Sequence, residues 1–261
     1  MKLIADTIRH SYGPLTVLED ISFEVGPGEV VAIVGPSGCG KSTLLRILGG
    51  LEKPTSGQVL VEGEPPEGSI NPLTFVFQDF GLLPWRSVEG NIRLPLEGSG
   101  LKSSEIEGRI SNALSRTGLS DFRKALPKQL SGGMKQRVGI ARALAVRPSV
   151  MFMDEPLSAL DAQTRELLMD DLVTLAEGFD GHQLATVYVT HNLEEATRLA
   201  DRILVLSRRP GRIRSVITID RPRRERSATD PDIAKQTREL WDLIRNDAAE
   251  ADRELTSGEV S

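Results

Sequence analysis

The sequence predicts an α/β protein in which helices cover both faces of a β-sheet. Continuous apolar runs are typical of strands buried on both faces. Val30–Val34 is such a run, and mainly apolar segments at Leu73–Phe77, Val150–Met153, Ala185–Val189 and Ile203–Leu206 predict further buried strands. Segments with a helical spacing of apolar residues lie between them, at Leu44–Leu51, Gly132–Val146, Leu160–Ala176 and Leu193–Ala200. This alternation of buried strand and helix is typical of a sheet with a helical layer on each side.

The first residues add a smaller β element. Ile4–Phe23 mixes short apolar and polar alternations around the pair Gly13-Pro14, which predicts short strands joined by a turn. We therefore expect an N-terminal antiparallel β subdomain.

The character of the chain changes after the second buried run, which is followed by Gln78. Gly81–Pro127 carries helix-like patterns, frequent Gly, Pro and Ser, and few strand signals. We expect a helical subdomain inserted here, at about residues 79–147 of a domain that spans 3–230.

The C-terminal part, residues 231–261, has a different pattern. Arg221–Arg226, just before it, is a cluster of net charge +3 that we expect to be exposed. After Pro231, a stripe with helical spacing runs through Ile233, Thr237, Leu240, Trp241 and Ile244. It predicts an amphipathic helix that docks on its own domain, with a partner or a membrane surface as the alternative. Residues 247–261 are acidic and poor in large apolar side chains, so we expect them to fray.

Composition restricts the function classes. The chain has 261 residues, of which 39% are hydrophobic and 26% charged, as in a folded globular protein. A net charge of −5 and a pI near 5.4 disfavour nucleic-acid binding. The one cysteine, Cys39, excludes an internal disulfide, suits a reducing compartment, and is expected to be a small filler residue, with a redox switch as the alternative. The longest stretch without Asp, Glu, Lys or Arg, Gly181–Leu193, is too short to span a bilayer.

A glycine-rich motif indicates the chemistry. It matches G-x-x-x-x-G-K-[ST] and lies between a predicted strand and a predicted helix, as that motif requires. Its residues are Gly35, Pro36, Ser37, Gly38, Cys39, Gly40, Lys41, Ser42 and Thr43. Glycines let main-chain N–H groups cradle phosphates at the positive end of a helix. Lys41 can then reach the β- and γ-phosphates, and the Ser42 hydroxyl can bind Mg²⁺.

A second motif supplies two carboxylates. The apolar run Val150–Met153 is followed directly by Asp154 and Glu155, which places both acids at the strand end where α/β sheets bind ligands. Asp154 suits the Mg²⁺ shell, and Glu155 suits the polarisation of an attacking water. Together the two motifs predict a protein that binds and hydrolyses a nucleoside triphosphate.

A third segment resembles one family closely. Leu130–Met134, followed by Lys135-Gln136-Arg137, is similar to the signature loop of ATP-binding cassette (ABC) ATPases. Ser131 can cap a helix whose N–H groups are exposed by Gly132 and Gly133, which makes an anion site without a basic residue. A second anion site calls for a second nucleotide. The resemblance implies that two copies of the chain pack head to tail, each signature loop closing on the other copy's ATP.

The same resemblance implies roles for further residues and covers about residues 3–225. Gln78 would join Ser42 and Asp154 around Mg²⁺. Asp161, in Ser158–Asp161, would lie at the dimer interface, and His191 would touch the γ-phosphate beside Lys41 and the catalytic Glu155. Tyr12 would stack on adenine, with plain packing as the alternative. The implied fold is a P-loop NTPase with a RecA-like core.

Three segments resemble importers of nitrate, sulfonate and taurine: Gln78–Arg86, His191–Ala196 and Leu206–Ile213. The resemblance implies an ATPase at the cytoplasmic face of the membrane, bound to a membrane permease and served indirectly by an extracytoplasmic solute-binding protein. Trp85 would anchor the permease on the helical subdomain, unless it is buried within that subdomain. Efflux or lipid transport is the alternative, and a role on nucleic acid ranks below it.

Overall fold

A computed structural model of the chain describes residues 1–178, 183–226 and 230–258, with the main chain alone for 246–258. The strands are β1 (Lys2–Tyr12), β2 (Leu15–Val25), β3 (Val30–Val34), β4 (Ser56–Glu62), β5 (Leu73–Val76), β6 (Val150–Asp154), β7 (Ala185–Val189), β8 (Arg202–Leu206) and β9 (Ile213–Thr218). The α-helices are α1 (Lys41–Leu48), α2 (Val88–Arg93), α3 (Ser103–Arg116), α4 (Gly132–Ala145), α5 (Ala162–Ala176), α6 (Leu193–Leu199) and α7 (Pro231–Gly258).

The central sheet has the strand order β5-β6-β7-β3-β8-β9. In this spatial order, each pair of neighbours from β5 through β6, β7 and β3 to β8 runs parallel, and β9 pairs antiparallel with β8. The strands of the interior are fully buried because their apolar side chains meet helices or the second sheet. The predicted α/β class is confirmed. Since the strands are parallel, the carboxyl ends of β3, β6 and β7 lie at one edge of the sheet.

The smaller sheet has the order β2-β1-β4 and is antiparallel. Sequence reasoning found the first two strands of this sheet and missed β4, whose residues are almost all exposed and carry no alternating apolar pattern. Gly57 allows β4 to approach β1. A Cβ atom added there would lie 2.3 Å from the carbonyl oxygen of Thr7.

Three apolar clusters hold these parts together. One lies between the two sheets and includes α1 and the buried Cys39. A second covers the other face of the central sheet and includes α5, α6 and α7. The third is the separate core of the helical subdomain, formed chiefly by α2, α3 and α4. The site described below is therefore built on strands that are fixed from both faces.

A buried amide organises one turn of the helical subdomain. Asn91 on α2 is fully buried, and its Nδ2 donates to the carbonyl oxygens of Leu83, Arg86 and Ser87 at 3.0–3.2 Å. Its Oδ1 accepts from the Leu83 N–H at 2.8 Å. The turn that these bonds fix presents Trp85, whose side chain is exposed (72%). The alternative that Trp85 is buried within the subdomain is therefore wrong, and its role as an anchor for the permease stays a prediction.

Ion pairs also join the elements of this subdomain, and they should make its stability depend on pH. Glu89 binds Arg93 at 2.6 Å and Arg123 at 2.8 Å. The hydrogen bond from Arg123, followed by that from Arg93, lowers the pKa of Glu89 from 4.5 to about 2. A depressed carboxyl pKa contributes stability above its unfolded value, and that contribution is lost as pH falls towards 2.

We expect Glu89→Gln to lower the free energy of unfolding at pH 7 by about 1 kcal/mol, after allowance for solvent screening of this side chain, which is 26% exposed. The difference between the variant and the parent should shrink as pH falls from 4.5. Urea denaturation across this range checks it, with the exposed Glu64→Gln as the control. A difference that stays constant down to pH 3 would contradict the assignment.

The prediction of an exposed arginine cluster is wrong for two of its members. Arg226 is almost fully buried, and the Arg223 side chain is largely buried as well. Both point inward because main-chain carbonyl groups at the ends of surrounding elements need donors. Arg223 donates to the carbonyl oxygens of Ala176 and Gly28 at 2.9 Å and pairs with Asp201. Arg224 is exposed, as predicted.

The C-terminal stripe docks on its own domain, as predicted, with one exception. Ile233 and Leu240 are buried, Ile244 packs against the same core, and the Thr237 hydroxyl bonds to Thr197 of α6 at 3.0 Å. Trp241 is instead exposed (60%) because it lies one residue, about 100°, past Leu240 at the edge of the stripe.

The helix α7 also continues further than expected. It reaches Gly258, the fraying of 247–258 stays a prediction, and 259–261 lie outside the described residues. Within residues 1–178, 183–226 and 230–258, every helix is too short or too polar to cross a bilayer.

Candidate functional site

The glycine-rich loop connects β3 to α1 at the carboxyl edge of the central sheet. The Lys41 ammonium is buried and donates to the carbonyl oxygens of Gly35 at 2.9 Å and Pro36 at 3.1 Å. The ammonium therefore lies inside the curve of the loop, with its charge directed at the position where the loop would hold phosphate.

The last glycine of the loop is required by the backbone. Gly40 precedes α1 with φ +105°, a conformation that side chains disfavour. An added Cβ would lie 2.8 Å from a methyl group of Leu18 and 2.9 Å from one of Val17. The loop can therefore be packed against β2 only with glycine at this position.

Ser42 and Asp154 meet across the sheet. The Ser42 hydroxyl donates to Asp154 Oδ1 at 3.0 Å, although β7 lies between β3, which leads into the loop before Ser42, and β6, which ends at Asp154. Burial raises the pKa of Asp154, and the Ser42 hydrogen bond opposes this. A hydroxyl beside a carboxylate is an oxygen donor set that suits Mg²⁺, which keeps few protein ligands beside phosphate and water. The described ranges hold no cluster of three or more His, Cys, Asp or Glu fit for a metal.

Glu155 and His191 form a second pair at the same edge. The registry of β6 with β7 pairs Asp154 with Val189, and the Glu155 N–H donates to the Val189 carbonyl oxygen at 2.9 Å. Glu155 Oε2 lies 3.0 Å from His191 Nδ1. Glu155 takes up φ +45°, an uncommon conformation for a residue other than glycine that turns its side chain away from the strand direction.

The loop at 131–133 begins α4. Ser131 is exposed and caps the helix, its Oγ accepting from the Met134 N–H at 3.2 Å. Gly133 packs so closely on α5 that an added Cβ would lie 2.4 Å from Thr164 Cγ2. Within the described part of the chain, no hydrogen bond joins Ser131 to the loop at 35–43.

Asp161 caps the next helix, α5. Its Oδ1 accepts from the Thr164 N–H at 2.9 Å, and its Oδ2 accepts from the Thr164 hydroxyl at 2.8 Å. The backbone hydrogen bond from Thr164, followed by its hydroxyl, lowers the pKa of Asp161. Thr164 therefore connects the loop at 131–133 with the start of α5, since it hydrogen-bonds to Asp161 and packs against Gly133.

Tyr12 and Gln78 lie at the periphery. Tyr12 ends β1, is about half exposed, and meets His10 edge to face with centroids 4.7 Å apart. A hydrogen bond to the Glu52 carboxylate is the main cause that raises the pKa of Tyr12, while Thr43 of the glycine-rich loop opposes the shift. Gln78 is exposed just after β5, and among the residues described its side chain makes no hydrogen bond. The structure therefore brings Ser42 to Asp154 and Glu155 to His191, and it shows no side-chain hydrogen bond from Gln78 to either pair among the described residues.

Sequence reasoning missed one buried group beside this site. Glu195 on α6 binds Tyr188 and Thr190 through its carboxylate. No motif indicated it, because one acid on a short helix normally faces solvent. Its only sequence signal was its place in the segment His191–Ala196, which by itself assigned it no role.

Comparisons with known proteins agree with this geometry. A family profile described as "ABC transporter" matches residues 18–158. The chain is 41% identical to the aliphatic sulfonates import ATP-binding protein SsuB 1 of Xanthomonas axonopodis, over 88% of this chain and 90% of that protein. It is 40% identical to the nitrate import ATP-binding protein NrtD of Synechococcus elongatus, over 89% and 86% respectively.

A solved structure is similar as well. The dimeric post-hydrolysis state of the ATP-binding cassette MJ0796, bound to ADP and Pi, aligns with a TM-score of 0.71 at 32% identity. The alignment covers 84% of this chain and 99% of that one.

Proposed function

Since the chain belongs to the ABC transporter family and is an ATPase of that family, we propose that it powers the import of a small solute of the nitrate or sulfonate class. The observation that carries the proposal is the meeting of two pairs, Ser42 with Asp154 and Glu155 with His191, at the sheet edge beside the glycine-rich loop. The names of the relatives aligned over most of the chain support the solute class.

Each residue of the candidate site would have a separate role in ATP hydrolysis. Lys41 and the N–H groups of the loop would hold the phosphates of ATP, and Ser42 and Asp154 would hold Mg²⁺, with Gln78 joining them. The ion, when bound, neutralises charge that develops on the phosphate oxygens. Glu155 would accept a hydrogen bond from the attacking water and orient it. His191, held beside Glu155, would donate towards the γ-phosphate.

A second copy of the chain would complete the site. Ser131 and the N-terminal N–H groups of α4 form an exposed anion-binding end, and nothing in the same chain's phosphate loop bonds to Ser131 within the described residues. We infer that it faces the nucleotide of the partner copy, with Asp161 nearby at the interface. The dimeric form of the MJ0796 cassette supports this arrangement. Closing on two ATP molecules and opening after hydrolysis would then perform the mechanical work.

The helical subdomain would receive the membrane partner. An open cavity of about 660 Å³ lies between the sheet domain and the helical subdomain. Its lining includes Leu51 and Phe77, which are exposed large apolar side chains. Trp85 protrudes from the turn just before α2. These apolar groups suit a cytoplasmic helix of an integral-membrane permease. This contact would hold the ATPase at the cytoplasmic face of the membrane.

We expect Trp85→Ala to lower solute uptake at least about tenfold, because an exposed aromatic anchor contributes most when it fills a partner's pocket. Basal ATPase activity of the isolated chain should stay within about twofold. Uptake by vesicles that contain the whole transporter checks this. Trp241→Ala, at the other exposed tryptophan, is the matched control. Equal loss of uptake and basal ATPase would show that Trp85 serves the fold instead.

The solute class has its own experiment. The permease and the extracytoplasmic binding protein would be purified with this chain, and the binding protein titrated with nitrate, taurine and short alkanesulfonates. We expect saturable binding of at least one of them. Saturable binding of an unrelated solute alone would contradict the class, and export from vesicles of the intact complex would contradict import.

A further inference from the structure

We propose that Glu195 is a positioning residue that fixes His191 and connects it to the segment Ser158–Asp161. The inference rests on the proposed roles of Glu155 and His191. Glu195 touches none of the reacting groups itself, so it would act only through the loop that carries His191.

The Glu195 carboxylate is buried and paired with hydroxyl groups. The residue is 6% exposed, and its Oε2 accepts from the Tyr188 hydroxyl at 2.9 Å and the Thr190 hydroxyl at 2.8 Å. Burial raises the pKa of Tyr188 well above its ordinary value, so that hydroxyl stays protonated and donates. A carboxylate buried in this way is costly unless its partners are fixed. The pairing therefore ties α6 firmly to β7.

The same bonds immobilise both neighbours of His191. The Thr190 hydroxyl donates to Glu195 and accepts from the Asn192 N–H at 3.0 Å. The Asn192 Oδ1 in turn accepts from the N–H groups of Glu194 and Glu195, which caps α6. His191 thus lies between two residues whose positions depend on Glu195. Its Nδ1 is 3.0 Å from Glu155, a distance that small movements of the loop would change.

A second oxygen of the carboxylate faces the interface segment. Glu195 Oε1 lies 3.8 Å from Arg165 Nε, and Arg165 Nη2 donates to the Leu160 carbonyl oxygen at 2.9 Å. Leu160 belongs to Ser158–Asp161, which would lie against the partner copy. One buried carboxylate therefore contacts both the loop of His191 and the arginine that supports the interface segment.

The two hydroxyl partners separate positioning from plain stability. Tyr188 lies within β7, three residues before His191, whereas Thr190 is its direct neighbour and bonds on both sides. Tyr188→Phe removes a bond that only anchors Glu195 to the strand. Thr190→Val, of nearly the same shape, removes the bond that holds the His191 loop. A positioning role requires the two variants to differ in turnover.

The experiment compares steady-state ATPase kinetics of the full-length chain at a temperature where circular dichroism shows each variant folded. We expect Glu195→Leu to lower kcat about tenfold with KM for ATP within about twofold of the parent. Glu195→Gln keeps an acceptor oxygen and should restore kcat to within about threefold. Thr190→Val should reproduce the loss of kcat. Tyr188→Phe should lower the melting temperature and keep kcat. Glu194→Leu, at the exposed neighbouring acid, should match the parent.

Two results would overturn the inference. One is parent-like kcat in Glu195→Leu, and the other is an equal loss of kcat in Tyr188→Phe and Thr190→Val, which would assign the network to stability alone. If Glu195→Leu does not fold, the Tyr188 and Thr190 pair decides the question. Glu155→Gln, assayed alongside, distinguishes a failure of the proposed site from a failure of the inference about Glu195. Parent-like hydrolysis by that variant would overturn the proposed site, whereas its inactivity together with an active Glu195→Leu would remove only the positioning role.

Discussion

Glu155→Gln is expected to bind ATP as the parent does and to lower kcat at least about 100-fold. The substitution keeps the shape of the side chain and its contact distance to His191, so nucleotide affinity should be nearly unchanged. It removes the negative charge that would orient and polarise the attacking water. The strained backbone at this position, φ +45°, holds the side chain at the sheet edge in both proteins, so the effect should come from the lost charge.

The measurement combines single-turnover hydrolysis with the binding of a fluorescent ATP analogue. Glu239→Gln on α7, an exposed acid far along the chain, is the matched control and should behave as the parent. A variant that hydrolyses ATP within about threefold of the parent would show that Glu155 does not orient the water.

The same variant reports on the dimer. If hydrolysis opens an ATP-bound pair, blocking hydrolysis should hold the pair closed. We expect light scattering to give the mass of two chains for Glu155→Gln with ATP and of one chain with ADP. A single-chain mass with ATP, in a variant that is otherwise inactive, would contradict the head-to-tail dimer and leave the role of Glu155 standing.

The sequence predicted β3, β6, β7 and β8 of the central sheet because these strands are buried along almost their whole length, and it missed the edge strand β9, whose residues alternate between half-buried and exposed. The apolar runs at Val30–Val34 and Ala185–Val189 have the bounds of β3 and β7, because every residue of both strands is buried. β4 was not predicted because both its faces are largely exposed, so its sequence shows no periodic pattern of apolar residues. Strand burial, more than strand propensity, decided which elements could be found.

The site could be predicted in its parts but not in its arrangement. Motifs identified Ser42 and Asp154, yet only the strand order, with β7 between β3 and β6, shows that the serine must reach across a strand to the acid. Glu195 could not be predicted, because its burial depends on hydroxyl groups from another element. The burial of Arg226 was not predicted for a similar reason. A run of arginines normally lies in solvent, and the carbonyl groups to which Arg226 donates are brought around it only by the pairing of β8 with β9.

Arg226 should therefore be the residue of its cluster that matters most for stability. Its Nε donates to the Arg221 carbonyl oxygen at 2.8 Å, and its terminal nitrogens donate to those of Ala200 at 2.5 Å and Ile219 at 3.1 Å. Burial lowers the pKa of Arg226 to about 10, which Asp201 opposes, so the side chain remains charged at pH 7. One guanidinium group thus joins carbonyl groups that lie just before β8 and just after β9.

We expect Arg226→Met to lower the free energy of unfolding by about 3 kcal/mol, because the buried carbonyl groups lose their donor while the apolar volume is kept. Urea denaturation without nucleotide checks this. Arg224→Met is the matched control. Arg224 is exposed and pairs only with Glu177 among the described residues, so its loss should cost less than about 0.5 kcal/mol.

The cost of Arg226→Lys should fall between those of the two variants, since one ammonium group keeps the charge but cannot reach carbonyl groups on separate sides. A cost for Arg226→Met as small as that of the control would mean that water replaces the guanidinium without loss.

Asp201, the acid beside Arg226, also accepts from the N–H of Val30 at 2.9 Å. Val30 begins β3, and the phosphate loop follows the other end of that strand. Arg226 and Asp201 therefore support the end of β3 that lies far from the site. Turnover of the folded variant should therefore stay near that of the parent, which separates Arg226 from Glu155 and Glu195.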